Sequence, residues 1–151
     1  PDGIKTTKNL PGNILLANRN LVEDFEDPDV LAGYLVVEKL RSETYNPIEE
    51  LLQNISFIST FRLLTTGLIN DDTLMDYADY LVTKPEEIVQ SSEIIKAFND
   101  TNLSLLPFAK AIDITGEGSL ELIEAFEIRN SPVQTSLPDA NWVSLQNICN
   151  S

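Results

Sequence analysis

The chain has 151 residues, the usual size of one compact domain, and 24 Asp and Glu against 10 Lys and Arg leave it a net charge of −14. It has no His, which excludes an imidazole general base, Ser–His and Cys–His nucleophiles and imidazole zinc sites; the single Cys149 excludes an intrachain disulfide and a multi-thiolate metal centre. The charge repels phosphate and anionic lipid and the basic residues are scattered, so neither direct nucleic-acid binding nor membrane docking is expected.

Residues 1–26 read as an extended, irregular arm. Gly3, Pro11, Gly12 and several Asn interrupt any helical period, and the opening residues lack the apolar core of a signal peptide. The one apolar run, Ile14-Leu15-Leu16-Ala17, is expected to anchor the arm on this domain or on a neighbour. Residues 27–151 read as a single helical domain.

Asp27-Pro28 places a capping carboxylate before a Pro at the first helical position. Val30, Leu31, Tyr34, Leu35, Val37 and Leu40 then give an apolar surface wide enough for two contacts, with an end expected near Ser42. Asn46-Pro47, followed by Glu49 and Glu50, repeats the start signal. Ile48, Leu51, Leu52, Ile55, Ile58, Phe61 and Leu64 recur at helical spacing until Gly67 supplies a stop. Between Glu50 and Asp71 the only formal charge is Arg62, so a helix over 47–66 is expected at the centre of the fold. The polar residues Gln53 and Asn54, with Arg62, argue against a membrane span over 51–69.

Asp71-Asp72 opens a helix to Lys84, with Leu74, Met75, Ala78, Leu81 and Val82 expected inward and Asp72, Asp76 and Asp79 on the opposite stripe. Thr83-Lys84-Pro85-Glu86 fits a capping box, predicting a helix that carries Ile88, Val89, Ile94, Ile95 and Phe98. Asp100-Thr101 caps a further helix over 103–114 that tolerates Pro107 in its first turns. Gly116-Glu117-Gly118 reads as a turn, without the third Gly and preceding strand of a dinucleotide site. Ser119 caps a helix to Ile128 bearing the acidic stripe Glu121, Glu124 and Glu127. Residues 130–136 read as extended, and Ser136-Leu137-Pro138-Asp139 starts a last helix with Trp142, Val143, Leu145, Ile148 and Cys149. The expected fold is all-α: a compact bundle of about six to seven short helices around the central apolar one, with an N-terminal arm.

The acidic run Glu23, Asp24, Glu26, Asp27 and Asp29 lacks the Gly and Glu register of a calcium loop and reads as a solvated linker. Arg62 pairs with a carboxylate inside the fold, marks where the central helix reaches a subunit interface, or serves a catalytic or anion-binding role. The aromatics Tyr34, Tyr45, Tyr77, Tyr80 and Trp142 line either the core or a contact surface. The candidate interface residues are therefore Ile14, Leu15, Leu16, Arg62 and Trp142; no catalytic, cofactor-binding or metal residue is expected. These features point to a non-catalytic subunit of a protein assembly, such as a virus or phage particle, in the cytoplasm or within the assembled particle. Its partners are other proteins, by self-association or in a heteromeric complex. Two alternatives are an acidic mimic that occupies a basic partner and a carboxylate-based enzyme.

Overall fold

The computed structural model describes residues 4–10, 14–44, 46–112, 119–120, 122–124 and 133–148. In chain order these form β1 (Thr7–Leu10), β2 (Ile14–Ala17), α1 (Asn20–Glu23), α2 (Pro28–Glu43), α3 (Pro47–Asn54), α4 (Phe57–Thr66), α5 (Asp71–Thr83), α6 (Ser91–Thr101), α7 (Leu106–Ile112) and α8 (Asp139–Ile148). The all-α reading holds: among the described residues the only sheet is the antiparallel pair β1–β2. The expected turn at 116–118, most of the helix from Ser119 to Ile128, Tyr45 and Cys149 lie outside the described residues.

Helix α2 organises the fold. The Asp27 side chain accepts from the Asp29 N–H at 2.9 Å, and Pro28 occupies the first helical position, where an N–H has no helical partner. The helix is buried from two sides. On one, Val37 packs with Ile94 and Phe98 of α6, Phe108 and Ala109 of α7, and Leu105 and Leu122. On the other, Leu31 packs with Leu21 and Val22 of α1 and Trp142 of α8. Tyr34 borders both clusters and meets Phe108 edge-on, with ring centroids 5.2 Å apart.

Several expectations are corrected: Asp100 and Thr101 do not cap a helix over 103–114 but end α6, and α7 begins only at Leu106. Part of the arm is ordered against the fold: β1 and β2 form a hairpin in which Thr7 pairs with Ala17, and α1 contributes Leu21 and Val22 to the core. The run over 47–66 is two helices, not one central helix. Ser56 is extended (φ −64°, ψ 156°) and its hydroxyl accepts from the Ser59 N–H at 3.2 Å, so a new N-cap cuts the apolar run. Gly67, at φ 69°, ends the second helix as predicted, its N–H bonding Leu63 O at 2.8 Å. Finally, Thr83 does not cap a helix. Lys84 is extended before Pro85, as the residue preceding a proline prefers, and α6 starts at Ser91, where the Gln90 N–H donates to Glu93.

Gly33 marks the closest approach of α2 to α7. A Cβ at this position would overlap the Cβ and ring of Phe108, itself buried between Tyr34 and Phe98. Gly33→Ala is expected to destabilise the protein by about 1–3 kcal/mol through overpacking. Denaturant unfolding followed by the emission of Trp142, the chain's one tryptophan, measures it.

Candidate functional site

Two features stand out from the packed core: a buried polar network that holds the hairpin, and the exposed face of α4. The hairpin is held by charge. Glu38, buried on α2, accepts from the Asn9 N–H at 2.6 Å and from Arg41 at 3.1 Å. Arg41 also pairs with Glu86 at 2.9 Å and donates to Glu87 O at 2.9 Å, which fixes the extended segment after Pro85 beside the arm. Lys84 pairs with Glu50 at 2.6 Å, and the Tyr80 hydroxyl donates to the same carboxylate at 3.1 Å, joining α3 to α5.

Lys8 is 7 % exposed and donates to Lys84 O at 3.3 Å; no carboxylate among the described residues lies within ion-pair distance of it. Burial holds its ammonium below the usual lysine range, helped by the positive charges of Lys84 and Arg41 and opposed by Glu38 and Glu86. The cavity between Lys8, Glu38, Arg41, Lys84 and Glu86 is about 30 Å³, a space of water size and not of substrate size. The arrangement is suited to anchoring a strand.

The second feature is an inversion. Helix α4 turns Ser59 inward, where its hydroxyl lies 3.4 Å from that of Thr73 on α5. Its apolar side faces outward: Phe57 is 85 % exposed, Ile58 79 %, Phe61 62 % and Leu64 74 %. These positions follow i, i+1, i+4 and i+7 spacing and make one stripe, and Leu68, just beyond Gly67, is exposed as well. Helix α5 is likewise not as expected: Tyr77 and Leu81 are buried, while Leu74, Met75 and Ala78 are exposed together with Asp72, Asp76 and Asp79. Among the described residues no group of acidic or thiol side chains is placed to hold a metal ion, and no helix is long and apolar enough to cross a membrane.

The interface candidates are dispersed. Ile14 and Leu15 of β2 are exposed and Leu16 is half-buried, whereas the arm residues that anchor are Thr7 and Lys8, buried on β1. Arg62 is exposed on α4 and makes no ion pair among the described residues, so it is not the buried half of a salt bridge. Trp142 is 4 % exposed and belongs to the core, which removes it from the surface candidates. Sequence reasoning missed Glu38 and Lys8 as anchors, because charged residues on an amphipathic element are assigned to solvent by default. It also missed the break before α4, for which Ser56, an N-capping residue inside the apolar run, was the available signal, and the orientation of α4, for which there was none. Compared with known protein families, curated proteins and solved structures, the chain matches none.

Two outcomes follow for the network. Glu38→Ala removes the acceptor of the Asn9 N–H, and hydrogen exchange of that amide is expected to speed up by about 10-fold or more while helical circular dichroism is retained. A lysine whose folded pKa lies below its unfolded value of 10.5 opposes folding while it is protonated in both states, and that cost is removed as pH rises through the folded pKa. Lys8→Met loses the hydrogen bond to Lys84 O together with this burial cost, so the net change at pH 7 is expected to stay within about 1 kcal/mol. Its stability relative to wild type is expected to fall as pH approaches 10.5, as paired urea melts at several pH values would measure.

Proposed function

We propose that this chain is a non-catalytic interaction subunit of a larger protein assembly, of the kind that builds a virus or phage particle, and that it meets its neighbours through α4. The observation that carries this reading is the outward apolar stripe Phe57, Ile58, Phe61 and Leu64 on a helix whose inward side holds Ser59. Scattered exposed apolar side chains are ordinary, but a contiguous stripe of two Phe, one Ile and one Leu is the composition of an interface core. Strand β2 adds a second contact element. Among the described residues it pairs with β1 alone, and it leaves Ile14 and Leu15 exposed. The charged groups around Lys8 are engaged in holding the arm, so they support anchoring and not chemistry.

The test is a photo-crosslinking phenylalanine analogue at position 61, expressed in the cells that make the protein, with the analogue at exposed Gln53 as control. Position 61 is expected to give a covalent adduct with a polypeptide and position 53 none. Absence of any adduct from both 57 and 61 would overturn the reading.

A further inference from the structure

We infer that the occupant of the α4 face is a second copy of this chain, joined about a two-fold axis with α4 of one copy against α4 of the other. This names the partner of the interaction reading above and rests on it. The area is right for such a contact. Phe57, Ile58, Phe61, Leu64 and Leu68 leave on the order of 700 Å² of mostly apolar surface exposed, against roughly 800 Å² per partner in a stable interface.

The charge distribution selects the copy over other partners. The chain carries 24 acidic residues, yet none falls between Glu50 and Asp71, the segment that contains the stripe. Two copies therefore meet at this face without bringing carboxylates together, and the rest of the −14 on each is screened beyond about 8 Å at physiological salt. A basic partner would find no carboxylate on this face and would meet exposed Arg62 as a like charge. A two-fold contact needs one surface that complements itself, and an apolar stripe in a segment free of carboxylates is such a surface.

Sedimentation equilibrium of the full chain at 5–300 µM, about the range in which such interfaces dissociate, is the test. Wild type is expected to form a dimer that tightens between low and high salt, because salt screens the repulsion and leaves apolar burial intact. Phe61→Asp is expected to weaken it by at least about 30-fold, the effect of losing one central anchor. Buried Trp142 lies in a different cluster from α4, so its unchanged emission shows that the variant is folded. A wild-type monomer throughout, a dimer that persists in the Phe57→Asp, Phe61→Asp double variant, or a dimer that weakens with salt would each overturn the inference. The crosslinking separates the two levels: an adduct to a different polypeptide removes the second copy and keeps the interaction reading, and no adduct removes both.

Discussion

Burial of α2 from two sides is the constraint from which the remaining contacts follow. A helix with apolar residues around most of its circumference has little room for charge, yet α2 carries Asp29 and Glu38, both buried. A buried carboxylate without donors costs several kcal/mol, far more than the ~0–1 kcal/mol that an exposed ion pair contributes. Each therefore selects a donor from a segment distant in sequence. Asp29 accepts from the Ser136 N–H at 2.7 Å, which brings the chain before α8 to the start of α2. Glu38 accepts from the Asn9 N–H, which sets the hairpin against the other end. Apolar contact makes the core stable, while these two acceptors determine which backbone lies where.

The same helix explains why the arm does not simply trail from the fold. Thr7 and Lys8 are buried on the strand nearest α2, and the Thr7 hydroxyl donates to Tyr34 O at 3.4 Å. Placing β1 inward leaves β2 as the outer strand, with its Ile14 and Leu15 exposed. An apolar run expected to anchor on this domain or on a neighbour is thus presented outward. Helix α4 shows the same inversion on a larger scale, since its hydroxyl-bearing side is the one that meets α5. In the hairpin Thr7 and Lys8 are buried while Ile14 and Leu15 are exposed, and on α4 Ser59 is buried while the Phe57–Leu64 stripe is exposed, the opposite of what an isolated globule prefers. Coverage by another polypeptide, as proposed above, would restore that preference.

Much of the helical layout was legible because it depends on neighbours in sequence. The Asp27-Pro28 start and the Gly67 stop rest on caps and backbone dihedrals, which act within one turn. The misread Thr83 start shows where that locality fails. A capping-box pattern competes with Pro85, which holds Lys84 extended, and with the Arg41 contacts to Glu86 and Glu87 O that hold the following segment beside α2.

The candidate interface was half legible for a related reason. Helical periodicity shows that α4 has an apolar side and that Arg62 is its lone charge, but a period carries no information about which side meets the rest of the chain. By itself the sequence determined the all-α class, most helix starts and stops, the excess of acid and the absence of imidazole chemistry, since these are properties of composition and of residues within a turn of each other. Only the tertiary structure decided that Trp142 is core, that Glu38 and Lys8 hold the arm, and that the stripe from Phe57 to Leu64 faces outward. Those outcomes depend on competition between distant segments for the two sides of α2, and burial is a property of the winner of that competition, not of any residue alone.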